Sequence, residues 1–198
     1  MRIAITGGIG SGKSFVCQLL RQRGIAVYDC DDAAKRLMRS DDDLQEQLRQ
    51  LVGEGVYINK VLQKAVLAQF LLASEQNKQA VNDVVHPAVA RDFMQSGLQW
   101  LESAILFDSG FYRRVPFDRY VCVVAPLEVR LHRVMQRDSI SRERAMEWIN
   151  KQWPQEEIAK RCHYVINNDG QQDLDGQVDK LLADLRINQQ TIDKHQSK

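Results

Sequence analysis

The sequence predicts an α/β fold, a parallel five-stranded sheet flanked by helices. Three observations carry that prediction. The first thirty residues read strand, glycine-rich turn, helix, strand, the pattern of a parallel crossover unit. Three further apolar runs, near 99–106, 119–124 and 163–167, alternate with stretches of helical periodicity. At 198 residues the chain is long enough for one such core with insertions.

Taken in order, residues 2–6 (RIAIT) form an apolar run that stops at Gly7-Gly8, as a buried strand does. Val16, Leu19 and Leu20 then recur at helical spacing, and Gly24 supplies the left-handed position that closes a helix. Residues 25–28 (IAVY) are the second strand. From 31 to 96 the pattern is helical almost throughout, in segments 31–38, 44–51, 61–72 and 81–94, with Gly53 and Gly55 between the second and third. So long a helical stretch between strands is read as an inserted helical lobe.

Strands return at 99–106 and at 119–124 (RYVCVV), the latter rich in β-branched and aromatic residues. Ala125-Pro126 opens a helix through Arg137, with Pro at an early position. Residues 138–161 are charged and helical, broken at Pro154. HYVIN at 163–167 is the last strand, before Asn168-Asp169-Gly170 and a C-terminal helix expected to end near Ile187. The remaining 188–198 are polar and expected to be disordered.

Bulk properties exclude little but point one way. A net charge of +1 gives no electrostatic reason for a nucleic-acid or membrane partner, and no apolar run approaches the roughly 20 residues that span a bilayer. Met1-Arg2 leads at once into the first strand, so no cleavable leader is expected. Cys17, Cys30, Cys122 and Cys162 are scattered without ligand spacing, so they read as reduced, mostly buried thiols of a cytoplasmic protein.

The chemistry begins at residues 7–14, GGIGSGKS. Gly7-x4-Gly12-Lys13-Ser14, placed after a strand and opening a helix, is the phosphate-binding P-loop pattern. Backbone N–H groups across Gly8, Gly10, Ser11, Gly12, Lys13, Ser14 and Phe15 can turn inward around phosphate oxygens. The helix N-terminus adds to them. Lys13 reaches the β- and γ-phosphates, and the Ser14 hydroxyl is the expected protein ligand to Mg²⁺.

What the loop serves depends on the rest of the chain. No Asn-Lys pair is completed to the guanine-reading Asn-Lys-x-Asp, and the strand at 119–124 ends in Val-Ala-Pro with no acid for a motor-type metal site. Instead, residues 28–35 read YDCDDAAK. A ten-residue helix runs back roughly 15 Å and a four-residue strand returns about 13 Å. Asp29 and Asp31 are thus expected at the same carboxyl edge as the phosphate loop, where ligands of such folds bind. Either alone could cap the following helix; the pair beside a P-loop favours phosphorylation of an alcohol, one carboxylate taking the hydroxyl proton and the other holding metal-bound water.

The segments ITGGIGSGKS with the Asp-x-Asp turn, VVHP at 84–87, AILFDSG at 104–110, VMQRDSISRE at 134–143 and YVINNDG at 164–170 resemble, in the same order, those of the dephospho-coenzyme A kinases. The likeness runs from residue 3 to about 185. It implies a P-loop kinase fold and ATP-dependent phosphorylation of the ribose 3′-hydroxyl of dephospho-CoA, the last step of coenzyme A synthesis. It also implies a nucleotide-binding core (1–30, 97–137 and 162–187), a helical CoA-side insertion (31–96) and a lid (138–161), with Asp31 as general base and Asp29 as its partner near the metal. Two positions depart from the family: Phe15 stands where it usually has Thr, and Asp108 where it has Glu. A kinase for another small acceptor, a nucleoside monophosphate or a sugar acid, is the alternative, and a monomer or small homo-oligomer is expected.

Further candidates are weighed against simpler roles. Arg137 and Arg142 are expected to contact phosphate from the lid, although Glu143, Glu147, Glu156 and Glu157 nearby suit a salt-bridged surface. Asn168 could read an adenine edge or simply make a turn. Glu102 could reach the metal region or face solvent. His86-Pro87 could shape the acceptor lobe or break a helix.

Overall fold

The computed structural model describes the backbone of residues 1–196 and side chains through residue 186. Strand β1 (Ile3–Thr6) leads through the glycine loop into helix α1 (Lys13–Gln22), then β2 (Val27–Asp29). A helical region follows: α2 (Cys30–Ser40), α3 (Asp42–Val52), a hairpin of β3 (Tyr57–Ile58) and β4 (Val61–Leu62), α4 (Lys64–Ala73) and α5 (Glu75–Gln95). The sheet resumes with β5 (Trp100–Glu102) and β6 (Arg119–Val124). Then come α6 (Leu127–Asp138), α7 (Arg142–Asn150), α8 (Gln155–Lys160), β7 (Tyr164–Asn167) and α9 (Leu174–Gln196).

The expected five-stranded parallel sheet is present, in the order β2-β5-β1-β6-β7. Successive side chains of β1 serve opposite faces. Ile3 and Ile5 pack with Val16, Leu20, Val121, Ile166 and Leu181 beneath α1 and α9. Ala4 joins Tyr28, Leu101, Phe93 and Leu106 on the side of the helical region. Both faces are therefore covered, as a parallel sheet requires. Strand order reverses at β1, which sets the phosphate loop at the topological switch point.

Four details differ from the sequence expectation. The strand at 99–106 ends at Glu102, because Ser103 N–H donates to Ile5 O and the chain then leaves the sheet. Leu106 and Phe107 still bury, but in turns below α5. The third helical segment begins three residues late, since 57–62 form a hairpin whose Asn59 and Lys60 both have positive φ (49° and 63°), the backbone of a tight primed turn. Third, α5 runs straight through Pro87, so His86-Pro87 is no helix break. Finally, α9 continues past Ile187 to Gln196, so the backbone at 188–196 is helical where disorder was expected, while side chains beyond Arg186 and residues 197–198 lie outside the described residues.

Cys17, Cys30 and Cys122 are buried free thiols and Cys162 is a half-buried one. Among the described residues no helix is long and apolar enough to cross a membrane.

Candidate active site

Glycine is required where the loop leaves β1. Gly7 has φ 146°, and a Cβ there would stand 2.2 Å from Val123 O. The carbonyls at the tip of the loop are held from outside by three side chains. Arg130, buried beneath Gly8, donates from Nε to Ile9 O at 2.9 Å. Arg133 donates to Gly10 O at 3.4 Å and Ser11 O at 3.3 Å, and Asn168 Nδ2 donates to Ser11 O at 2.9 Å. With the carbonyls of Ile9, Gly10 and Ser11 bonded on the outer side, the N–H groups of Gly10, Gly12, Lys13 and Ser14 are left for the concave side, the geometry of an anion nest, whereas Ser11 and Phe15, expected among the phosphate donors, give their N–H to Gly8 O and Gly12 O.

Lys13 opens α1 and is only 8% exposed. Burial pushes its ammonium below the ordinary lysine range, against the pull of Glu102 and Asp31. A phosphate chain would add counter-charge beside it. Ser14 Oγ donates to Glu102 Oε1 at 3.5 Å. Glu102, at the end of β5, is itself raised by burial, with Lys13 opposing.

The acidic turn arrives where strand arithmetic placed it. Asp29 ends β2 and caps α2, accepting from Asp32 N–H at 3.0 Å. Asp31 lies in the first turn of α2. Asp29, Asp31, Glu102, Lys13, Ser14, Gly10, Gly12, Arg133 and Arg137 line one cavity of about 420 Å³. Capping and site-lining, alternatives in the sequence, are here both true of Asp29. Glu102 faces this cavity rather than solvent.

A second cavity of about 610 Å³ lies at the ends of β6 and β7. Val124, Ala125, Pro126, Leu127, Ile149 and Trp153 line it together with polar Arg130, Gln155, Glu156, Asn167 and Asp169. Gln152 lines both cavities.

The remaining candidates divide. Arg137 lines the first cavity, with its guanidinium on Asp138 at 2.8 Å. Arg142 lines neither cavity; it makes a paired contact with Glu128 at 2.8 and 2.6 Å. Asn168 spends its amide on the loop and on Arg133, which donates to Oδ1 at 3.1 Å, so it braces phosphate-binding backbone instead of facing a base. The Phe15 side chain is half exposed at 51%, so its substitution for Thr removes nothing from the core. Asp108 accepts from Trp153 N–H at 3.1 Å and is raised by burial, a tether between the 104–110 turns and the segment before α8. His86 packs edge-on against Phe111, Nδ1 buried without a partner, and burial lowers it to about 4. It lines neither cavity. Arg130, Arg133 and Gln152 were not singled out from sequence; arginines four and seven residues into a charged helix carry no local signal.

No group of three or more Asp, Glu, His or Cys side chains able to hold a metal occurs among the described residues. The donors that do face the first cavity are hard oxygens: Ser14, Asp29, Asp31 and Glu102. That set fits Mg²⁺, which takes one or two protein oxygens and completes its shell with phosphate and water.

Comparison with known proteins bears on the family and the fold. The dephospho-CoA kinase family model matches residues 1–173. A Bacteroides fragilis dephospho-CoA kinase is 41% identical over 190 residues, covering 92% of each chain. A solved Thermus thermophilus structure superposes with a TM-score of 0.76 at 33% identity, over 95% of this chain and 97% of that one. The Campylobacter jejuni dephospho-CoA kinase structure shares the fold, with a TM-score of 0.63 at 19% identity over 93% of this chain and 96% of its own. The fold is that of the P-loop kinases, and the chain belongs to the dephospho-CoA kinase family.

Proposed function

We propose that the chain transfers the γ-phosphoryl group of ATP to the ribose 3′-hydroxyl of dephospho-CoA. The observation that carries the reading is the shared cavity: the Asp31 carboxylate and the P-loop groups Lys13 and Ser14 open onto one space. Asp31 takes the proton of the incoming hydroxyl as its oxygen bonds to phosphorus and the bond to the ADP oxygen breaks. Asp29, held by its cap on α2, is the fixed partner acid beside Mg²⁺. Lys13 and Arg137 neutralise charge on the phosphoryl oxygens, and Ser14 would hold Mg²⁺, which would supply further neutralisation of phosphate charge.

The second cavity, lined by apolar Pro126, Leu127 and Trp153 and by hydrogen-bonding Asn167 and Gln155, suits the nucleotide base. The helical region 31–96 carries the acceptor side and 138–161 the lid; α6 and α7 share a small core of Leu131, Val134, Ala145 and Ile149. Arg142, engaged with Glu128, takes no part in this reading.

The test is an acceptor panel with ATP and Mg²⁺: dephospho-CoA, a nucleoside monophosphate and shikimate, with ADP release followed by a coupled assay. Dephospho-CoA alone should support fast turnover. Turnover with one of the others and none with dephospho-CoA would overturn the assignment.

A further inference from the structure

Gln152 stands where the two cavities meet, in the short connection between α7 and α8. That connection is tied down at several points. Gln152 Oε1 accepts from Ile9 N–H, at the tip of the phosphate loop, at 2.6 Å. Trp153 N–H donates to Asp108, and Arg161 lies 5.0 Å over the Trp153 ring. Gln155 exchanges hydrogen bonds with both the N–H and the carbonyl of Ala125, at 3.0 and 3.2 Å. The segment therefore crosses the carboxyl edge of the sheet as a braced strap.

The chemistry of the amide fixes its orientation. A backbone N–H can only donate, so the Gln152 atom facing Ile9 must be the carbonyl oxygen. Its Nε2, with two N–H groups, is the opposite end, and among the described residues it has no hydrogen-bond partner. A side chain lining both cavities, with its acceptor fixed to the loop tip, leaves that donor for a molecule that passes between them.

We propose that Gln152 is a catalytic residue whose Nε2 donates to an oxygen of the phosphoryl group in flight, a role that rests on the ATP-dependent transfer proposed above. Negative charge spreads over those oxygens as the bond to ADP loosens and the bond to the acceptor oxygen forms. A neutral donor that is fixed in place stabilises that charge without reorganising, and gains or loses no proton. The acceptor proton still goes to Asp31. Because Oε1 also fixes Ile9, one side chain joins the strap, the loop tip and the reacting group.

Two variants of the full chain separate donation from bracing. Gln152→Ala removes both; Gln152→Glu keeps an oxygen for Ile9 N–H and replaces the donor with an anionic oxygen. With ATP, Mg²⁺ and dephospho-CoA, Gln152→Ala should lower kcat by about 10²-fold, the scale of one lost oxyanion donor, with KM for dephospho-CoA little changed. Gln152→Glu should be at least as slow; recovery of wild-type kcat by Gln152→Glu would overturn the proposal in favour of bracing alone. A second readout is free of turnover: ADP affinity with and without aluminium fluoride, a mimic of the transferring phosphoryl. The wild type should bind ADP more tightly with fluoride present, and both variants should lose that gain, measured for each against its own affinity for ADP alone. Retention of the gain in both variants, or its absence in the wild type, would contradict the role. If the wild type shows no turnover with dephospho-CoA, the acceptor assignment falls, and the fluoride measurement still decides on Gln152.

Discussion

The site turns on single atoms whose protonation or donor count sets the chemistry. Lys13 is buried enough for desolvation to lower its pKa, yet it sits among Glu102 and Asp31. Lys13→Ala should weaken ATP binding and turnover together, because its charge serves ground state and transition state alike; isothermal titration and initial rates check the two halves. Asp29 has two jobs that substitution can divide. Asp29→Ser keeps a capping oxygen and should leave stability near that of the wild type, whereas Asp29→Ala should cost about 1 kcal/mol, read from urea unfolding. Both should be slow enzymes. His86 gives a stability signal separate from catalysis. Its ordinary value is 6.5 and burial lowers it to about 4 in the folded chain. Between those values the unfolded chain binds a proton that the folded one refuses, so the part of the stability owed to neutral His86 should fall as pH drops from about 6.5 to about 4 and change no further below that. Unfolding midpoints of wild type and His86→Gln across that range should show the variant's slope reduced.

At the scale of elements, the bracing of the phosphate loop is the feature that local sequence conceals. Arg130 and Arg133 are three apart on α6 and read as ordinary charged helix positions; only the packing of α6 against the loop turns them toward Ile9, Gly10 and Ser11. Arg130→Ala should lower the thermal midpoint and weaken ADP binding, since it leaves the Ile9 carbonyl buried without its donor; unchanged ADP affinity in a calorimetric titration would show that the loop holds its shape unaided. The P-loop, the strands flanking it and the Asp29–Asp31 turn were legible because their signals are local: apolar runs, glycines at fixed offsets, and a cap. What was not legible depends on contacts distant in sequence. The strand at 99–106 is cut short by where β1 ends, and the 57–62 hairpin hides in a helical neighbourhood because a primed turn here uses Asn59-Lys60 without glycine. Asn168 offered two readings, and the fold supplied a third, a brace on Ser11.

For the whole molecule, strand order does most to place the chemistry. β1 lies between β5 and β6, so the loop after β1, the acid at the end of β5 and, one strand further, the turn after β2 meet at one edge. On the other side, β6 and β7 end at the cavity suited to a base, and the strap through Gln152 and Trp153 runs over both. This explains how residues spread from position 9 to position 152 can line one cavity of about 420 Å³. It also explains why Asp108 and Arg142, credible from sequence alone, fall outside: one tethers the strap and the other closes an ion pair on the surface.

The most direct test concerns the acidic turn. Initial rates of ADP formation with ATP, Mg²⁺ and dephospho-CoA should be compared for wild type and Asp31→Asn, with ATP affinity measured on the same preparations. The variant should bind ATP as the wild type does and turn over about 10²-fold or more slowly, the loss expected when a general base is removed. Wild-type turnover by Asp31→Asn would contradict the claim that this carboxylate accepts the proton.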